Sequence, residues 1–236
     1  MQTIIKNKLL ISVLAVAVMM TAVVLYSVLF PGDSNAYVST LFVICCTLLL
    51  FFLKFEHRKP EVREIIIVAV LSALGVAGRA MFMFIPQFKP VAAIVIIAGV
   101  CFGRETGFLV GAVTALASNF YFMQGMWTPW QMLGFGIVGF LAGFLAERNI
   151  LKLNKIPLAI FGGLATFFIY GGIVNSGYIF MAVQDITPKT VIAAFISAVE
   201  FDGIHTASSV IFLFLISGPM IEKLNRIKRK YGIMEK

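Results

Sequence analysis

Long apolar runs recur along the whole chain, and they constrain its fold more than any other feature. Runs of about 17 or more apolar residues are long enough to cross the hydrocarbon core of a bilayer as α-helices. Of the residues, 60% are hydrophobic and 13% are charged, whereas soluble domains carry roughly 25% charged residues. The short alternating segments of a membrane β-barrel do not occur. The sequence therefore predicts an all-α, polytopic helical membrane protein without a large soluble domain.

Eight apolar segments are separated by short polar or charged connections. The fourth is the shortest, because thirteen or fourteen residues give only ~20 Å of helix against a core of ~30 Å, so it either crosses with help from its neighbours or is re-entrant. The last is too long for one upright span, which predicts a helix break at Asp202-Gly203 or first turns lying in the interface. The charged stretch 54–64 divides the chain into a two-helix extension (residues 1–59) and a six-helix core with a basic tail (residues 60–236). The eight segments cover about 9–30, 37–53, 65–85, 90–103, 106–123, 131–146, 157–175 and 190–218.

The basic residues are distributed unequally between the two predicted sides of the membrane. Of the nineteen Lys and Arg residues, sixteen fall on one side, Lys89 and Lys189 fall on the other, and Arg79 lies within an apolar segment. The positive-inside rule assigns the larger group to the cytoplasm, which gives eight crossings with both termini cytoplasmic. The same clustering accounts for the net charge of +8 without a nucleic-acid partner.

Four ionisable residues, Arg79, Glu200, Asp202 and His205, lie within predicted membrane segments. A charge at the centre of a membrane costs roughly 2.5–3.5 kcal/mol on insertion scales, so these groups must pair or face a wet cavity. We expect Arg79 to pair with Glu200 or Asp202. The pair would serve either as a structural ion pair that fixes helix orientation or as part of a substrate cavity open to the outside.

Amides and aromatic residues gather near the predicted outer ends of the core segments. Amides at helix ends that face a bundle need hydrogen-bond partners, and a set of amides and aromatics with one cation suits a neutral or weakly anionic ligand. The two tryptophans fit either ligand contacts or anchors at the membrane interface. Together with the four ionisable residues, the expected substrate-binding residues are Phe84, Gln87, Lys89, Asn119, Gln124, Trp127, Trp130, Gln131, Asn175 and Tyr178.

Several motifs of catalytic and metal sites are missing from the sequence. There is no G-x-x-x-x-G-K-[ST], so an ATP-binding P-loop is not expected, and neither H-E-x-x-H nor G-x-S-x-G occurs. The three cysteines lie in apolar segments without the spacing of a zinc site. We therefore expect neither a metal nor a cofactor.

Small residues recur at helical spacing in several segments. Ala69, Ala73 and Ala77 lie on one face of the helix predicted at 65–85, where small side chains allow another helix to approach closely. Two interpretations remain open from the sequence, namely packing within the bundle and a docking face for a partner protein. Similar stripes are Gly107, Gly111 and Ala115, and Gly139 and Gly143.

Several short motifs between residues 60 and 236 accompany the alanine stripe. They are Gly78-Arg79, Phe88-Lys89-Pro90, Phe102-Gly103, Ser118-Asn119, Gly125-x-Trp127-Thr128-Pro129-x-Gln131 and Phe201-Asp202-Gly203-Ile204-His205. The combination resembles the substrate-binding S components of energy-coupling factor (ECF) vitamin transporters, particularly the group that includes cobalamin-type S components. The two apolar segments within residues 1–59 depart from the six-helix pattern of that family.

The resemblance implies a protein of the bacterial plasma membrane that binds a vitamin from outside and is not an enzyme. In such systems a separate transmembrane coupling subunit and two ATPases supply the power for import, which agrees with the missing P-loop. The resemblance also implies that Ala69, Ala73 and Ala77 contact the coupling subunit and that residues 86–90 act as a lid. Cobalamin or a related micronutrient is the expected ligand.

Two other interpretations of the ionisable residues remain. Arg79, Glu200, Asp202 and His205 suit a self-contained proton-coupled transporter of small molecules, which would work without other subunits. Asp202 and His205 also share a helix face, which suits an intramembrane enzyme whose turnover would be lost in Asp202→Asn. An S component, by contrast, binds its ligand tightly and transports it only with coupling subunits and ATP.

Overall fold

The computed structural model describes residues 62–183 and 186–232, together with the isolated positions Val38 and Phe42. Apart from those two positions, the predicted segments 9–30 and 37–53 lie outside the described residues. The count of eight crossings and the extension at residues 1–59 therefore stay predictions.

The described part of the chain folds into six helices and contains no strand, which confirms the all-α prediction. Helix α5 is one continuous rod in which a π-helical section, Ala165–Gly171, joins α-helical turns on either side. Each helix corresponds to one predicted segment of the core. The helices are α1 Val62–Met81, α2 Val91–Phe102, α3 Arg104–Phe122, α4 Thr128–Glu147, α5 Lys155–Ala182 and α6 Pro188–Tyr231.

Four of the described helices, α1, α4, α5 and α6, are long and apolar enough to cross a membrane. Length and composition alone qualify them, since each contains a window with few charged residues and high mean hydropathy. Several such helices in one chain confirm the prediction of a polytopic helical membrane protein.

Helix α2 is short, bounded by Pro90 and Gly103, and lies at the centre of the bundle. Its 12 residues give ~18 Å of helix. Nearly all of its residues are buried, and Val95, Ile96 and Ile97 are fully buried. A helix that is apolar on every side is stable when protein surrounds it, and α2 packs against α1, α3, α4 and α6. The buried placement is compatible with both interpretations, a crossing supported by neighbours and a re-entrant helix, so the crossing stays a prediction.

Glycines allow α2, α3 and α4 to touch along their backbones. A Cβ added at Gly99 would collide with the carbonyl oxygen of Gly139, and one added at Gly139 would collide with that of Gly107. Gly111 meets the backbone of Phe135 in the same way. The glycine stripes of α3 and α4 are therefore packing surfaces within the bundle.

The two ends of the bundle differ in charge. At one end, which we call the basic end, Arg63 donates to the carbonyl of Tyr231, Lys228 Nζ donates to the carbonyl of Cys101 at 3.0 Å, and Arg104 pairs with Glu147 at 3.7 Å. At the opposite end, which we call the rim, lie the connections 82–90 and 123–127, together with the described residues 183, 186 and 187 between α5 and α6. The basic end corresponds to the side predicted to be cytoplasmic.

Helix α6 differs most from the prediction. It runs without interruption through Asp202 and Gly203, so the predicted break there is wrong. A capping box between Thr187 and Thr190 begins the helix, and Gly232 in the left-handed conformation ends it. Its 44 residues give ~66 Å of helix, about twice the ~30 Å of a membrane core. Part of α6 therefore extends beyond the membrane.

Candidate functional site

Polar side chains from five elements converge beneath the rim, and we call this set the rim cluster. Its members are widely separated in sequence. In the fold they either contact one another or lie close enough for their charges to interact. The rim cluster consists of Arg79 in the last turn of α1, Lys89 in the α1–α2 loop, Asn119 on α3, Tyr170 on α5, and Asp202 and His205 on α6.

Arg79 is held by the end of α3. Its Nη1 group donates to Ser118 Oγ and, at 2.7 Å, to Asn119 Oδ1, while the guanidinium carbon lies 4.8 Å from the centre of the Phe122 ring. A guanidinium carries five N–H donors. Among the described residues only Nη1 has hydrogen-bond partners, so the remaining donors of Arg79 are available for a ligand.

Asn119 joins three helices at the rim. Its side chain is fully buried, accepts from Arg79, and donates at 2.9 Å to both Thr128 Oγ1 and Gln131 Oε1 on α4. The backbone N–H of Gly125 donates to the same Thr128 hydroxyl at 3.3 Å. A buried amide with all these partners fixes the positions of α1, α3 and α4 relative to one another.

The predicted pairing of Arg79 with Glu200 or Asp202 is wrong. Asp202 Oδ2 instead accepts from Asn175 Nδ2 at 2.6 Å, and Glu200 is exposed on α6. The reason is helix packing, because α5 and α6 place Asp202 against Gly171, whereas the last turn of α1 packs beside the end of α3. Neutral amides and a hydroxyl, rather than opposite charges, are the direct partners of both groups.

The α1–α2 loop is fastened to α6 and α1. Ser208 Oγ donates to the carbonyl of Lys89 at 2.7 Å, and the ring of Phe212 lies 5.2 Å from that of Phe82 and 5.4 Å from that of Phe88. Pro90 packs so closely on Gly78 that a Cβ there would collide with its ring. The loop therefore lies over the rim cluster in a defined position, as a lid would.

Lys89 has an unusual electrostatic environment. Burial lowers the pKa of its ammonium group below the ordinary value for lysine, and the positive charge of Arg79 lowers that pKa further. No described residue forms an ion pair or a hydrogen bond with Lys89 Nζ. Lys89 is therefore a partly desolvated cation next to a second cation.

Tyr170, His205 and Phe135 form an aromatic wall beside these cations. The ring of Tyr170 lies 4.9 Å from that of His205 and 4.2 Å from that of Phe135. Tyr170 and His205 are 8% and 5% exposed, and neither the Tyr170 hydroxyl nor the His205 ring nitrogens have a hydrogen-bond partner among the described residues. Tyr170 belongs to the π-helical section of α5, a distortion that often occurs at functional sites.

Sequence reasoning missed Tyr170, Phe135 and Ser208. Tyr170 is the one tyrosine of the apolar segment predicted at 157–175, and a buried tyrosine usually needs a partner for its hydroxyl, so that signal was present. Phe135 and Ser208 carry no comparable signal, because their roles follow from the packing of distant segments.

The other predicted ligand residues take different positions. Trp130 is fully buried and stacks on Phe180 with ring centroids 5.8 Å apart, so it is not an interface anchor. Phe84, Trp127 and Tyr178 are exposed at the rim, with 88%, 42% and 54% of their surfaces accessible. Gln124 is exposed and donates to the carbonyl of Leu116. Gln131 bonds to Asn119 and Asn175 bonds to Asp202, so both contact the rim cluster. Gln87 lies half-buried in the loop with a φ of 56°.

A separate groove of about 520 Å³ lies between α5 and α6. Its lining is almost wholly apolar and includes Ile156, Ile160, Phe167 and Val210. Such a groove does not supply the polar groups that orient a hydrophilic small molecule. The rim cluster is therefore the candidate ligand site.

The alanine stripe of α1 faces away from the described core. Ala69, Ala73 and Ala77 are all exposed, whereas Leu71 and Gly75 on the same helix are buried. Packing among the described helices therefore does not account for this stripe, in contrast to the glycine stripes of α3 and α4.

The fold and the rim cluster define a class of protein: a helical membrane protein with a candidate ligand site beneath one end of its bundle. A family model described as the S component of an ECF-type riboflavin transporter matches residues 59–225. The match covers well over half of the chain, so the chain belongs to this family. The resemblance to ECF S components is thereby confirmed, while a cobalamin-type specificity is not.

Three curated relatives that the chain matches are named UPF0397 proteins. One from Vibrio atlanticus (strain LGP32) is 30% identical over 49% of this chain and 66% of its own length. Relatives from Aliivibrio salmonicida (strain LFI1238) and Aliivibrio fischeri (strain MJ11) are each 32% identical, over 46% and 42% of this chain and 59% and 55% of their own lengths. The chain thus spans less than two thirds of the length of these relatives. No solved structure matches the chain.

Proposed function

We propose that this protein is the substrate-binding membrane subunit of an ECF-type importer and captures a vitamin at the rim. The observation that carries the proposal is the rim cluster, in which Arg79, Lys89, Tyr170 and His205 present polar groups without partners among the described residues. Ligand sites of proteins combine an apolar or aromatic wall with a few convergent polar groups, and the rim cluster brings such groups together.

The exposed alanine stripe gives this subunit a place to bind its coupling partner. Ala69, Ala73 and Ala77 form a flat face on which a helix of another membrane protein can pack at short distance. A transmembrane coupling subunit would bind this face, and two ATPases would supply the energy. With the basic end in the cytoplasm of a bacterium, the rim faces outward and meets the vitamin there.

Two vitamins are the first candidates for the ligand. The family carries riboflavin in its description, and the sequence motifs favour cobalamin or a related micronutrient. Both combine an aromatic or conjugated ring system with many hydrogen-bonding groups, which suits the aromatic wall of Tyr170 and Phe135 and the amides around Asn119.

A self-contained proton-coupled transporter is the weaker alternative. That mechanism needs Arg79 to exchange partners with Glu200 or Asp202, yet Arg79 binds Ser118 and Asn119 while Asp202 binds Asn175. Glu200 is exposed and takes no part in the rim cluster. The described contacts therefore supply no ready path for a proton between these groups.

Equilibrium binding tests the proposal directly. The full chain is purified in detergent, small molecules that co-purify with it are identified by mass spectrometry, and binding of radiolabelled riboflavin and cobalamin is measured. We expect saturable binding of one vitamin by the chain alone, and loss of that binding in Tyr170→Ala. Saturable binding of neither compound, together with no co-purifying small molecule, would contradict the proposal.

A further inference from the structure

We propose that the ligand of the rim cluster carries an anionic group, a carboxylate or a phosphate, which binds between Arg79 and Lys89. The inference rests on the proposed function, because it names the chemical class of the molecule that the site captures. It separates acidic or phosphorylated vitamins and their derivatives from neutral ones.

The fold brings the two cations together from adjacent elements. Gly78, the neighbour of Arg79, packs directly against Pro90, the neighbour of Lys89. The hydrogen bond from Ser208 to the Lys89 carbonyl then fixes this part of the loop one helical turn from His205. Arg79 and Lys89 are both within electrostatic range of His205, so the three groups are neighbours beneath the loop.

The charges of this region are not balanced by the protein. Among the described residues, neither Arg79 nor Lys89 forms an ion pair, and Asp202, the carboxylate of the rim cluster, is bound by Asn175. Buried or half-buried charges without a counter-ion are costly, and two cations in proximity repel each other. A bound anion would satisfy both cations, and its negative charge would oppose the lowering of the Lys89 pKa that burial causes.

The unpartnered neutral groups complete an anion site. Only 5% of the surface of His205 is exposed. Its ring nitrogens and the Tyr170 hydroxyl form no hydrogen bond with another described residue. A hydroxyl and an imidazole N–H are suitable donors to a carboxylate or phosphate oxygen. Arg79 adds its unused N–H groups, and guanidinium groups bind these anions with two parallel hydrogen bonds.

Asp202 limits where the anionic group lies. Tyr170 is within electrostatic range of both Arg79 and Asp202, and Asp202 lies against Gly171, the next residue along α5. A negative group close to Asp202 would be repelled, whereas a ligand N–H or O–H could donate to it. We therefore expect the acid group at the Arg79–Lys89 side and a hydrogen-bond donor of the ligand towards Asp202.

Matched pairs of vitamins test this inference on the purified full chain. The probes are riboflavin and riboflavin 5′-phosphate, biotin and biotinamide, and pantothenate and pantothenol, measured by isothermal titration calorimetry. In at least one pair the anionic member should bind at least about tenfold more tightly, the effect of one charge-assisted hydrogen bond. Equal or tighter binding of the neutral member of each pair that binds would overturn the inference while leaving the proposed capture of a vitamin intact.

Variants of Lys89 connect the preference to the site. Lys89→Gln should weaken binding of the anionic member at least about tenfold more than binding of the neutral member, whereas Lys89→Arg should retain most of the affinity for the anionic member. Lys189→Gln removes the same charge from an exposed rim position and should have no effect. An unchanged preference in Lys89→Gln, or binding of no anionic probe at all, would overturn the inference.

A phospholipid headgroup offers the same chemistry as a soluble anion, and native mass spectrometry distinguishes the two sources. The wild type should retain an added anionic probe, and Lys89→Gln should lose it, after phospholipid has been removed by detergent exchange. Phospholipid adducts that disappear in Lys89→Gln, in a protein that binds none of the soluble anions, would overturn the inference.

Discussion

Arg79 donates to Asn119 at 2.7 Å, so a buried amide on α3, rather than an acidic residue, is the direct partner of the cation at the end of α1. Because Asn119 also donates to Thr128 and Gln131, one side chain positions the cation and closes the rim between α1, α3 and α4. An uncharged partner leaves the positive charge of Arg79 uncompensated and therefore available to a ligand.

Replacing Asn119 with Ala should destabilise the protein by roughly 2–3 kcal/mol, because it removes three hydrogen bonds of a buried amide and takes one partner from the Arg79 guanidinium. Thermal unfolding in detergent measures the effect. Gln124→Ala, which removes one exposed hydrogen bond to Leu116, is the control and should change stability by less than about 0.5 kcal/mol. Equal melting temperatures for the two variants would show that Asn119 does not hold the rim together.

Gly171 and Gly172 offer a matched pair of substitutions. A Cβ at Gly171 would lie 2.9 Å from Asp202 Oδ2, whereas a Cβ at Gly172 would meet nothing within 4 Å. Gly171→Ala should therefore destabilise the protein by about 1–3 kcal/mol through overpacking, while Gly172→Ala should be neutral or slightly stabilising in a helix. Thermal unfolding measures the stability of both variants. If Gly171→Ala is as stable as the wild type, α5 and α6 are too far apart at this point for a Cβ to collide with Asp202.

The loop over the rim cluster should become more mobile when its bond to α6 is removed. Ser208→Ala deletes the hydrogen bond to the Lys89 carbonyl, so hydrogen–deuterium exchange of the amides in 82–90 should speed up several-fold, as for the loss of about 1 kcal/mol. Ser197→Ala removes only a bond within α6, to Ala194, and serves as the control. If both variants exchange like the wild type, Ser208 does not fasten the loop.

Larger residues in the alanine stripe of α1 should leave the free protein stable but should weaken its complex with the coupling subunit. Ala73→Leu should leave thermal stability within about 0.5 kcal/mol of the wild type, because the side chain is exposed, yet should reduce co-purification with a tagged coupling subunit at least about tenfold. Ala193→Leu makes the same change at an exposed position of α6 and should leave co-purification unchanged. Undiminished complex formation by Ala73→Leu would place the docking face elsewhere.

The architecture was predictable from the sequence because a membrane imposes simple rules. Apolar length, Pro, Gly and charged residues mark the helices, and each predicted segment of the core contains one. The helix ends were less predictable. Pro129 near the start of α4 places Trp130 inside the helix rather than in a loop, and the charged tail after Ile221 continues α6 as helix.

The membership of the site was partly predictable, but its contacts were not. Polarity within apolar segments identified Arg79, Asn119, Asp202 and His205, because such residues are costly in lipid. Their partners depend on how each helix is rotated and shifted against its neighbours, which sequence spacing within one helix does not specify. Opposite charges suggested the pairing of Arg79 with Asp202, while packing gave each of them an amide partner instead.

Transport by proteoliposomes is the most direct test of the central claim that this chain captures a nutrient and relies on other subunits for power. Vesicles containing the full chain alone are compared with vesicles that also contain a coupling subunit, two ATPases and ATP, each given the radiolabelled vitamin that the chain binds. The account predicts binding without accumulation in the first case and accumulation in the second. Accumulation driven by a pH gradient in vesicles with the chain alone would contradict it.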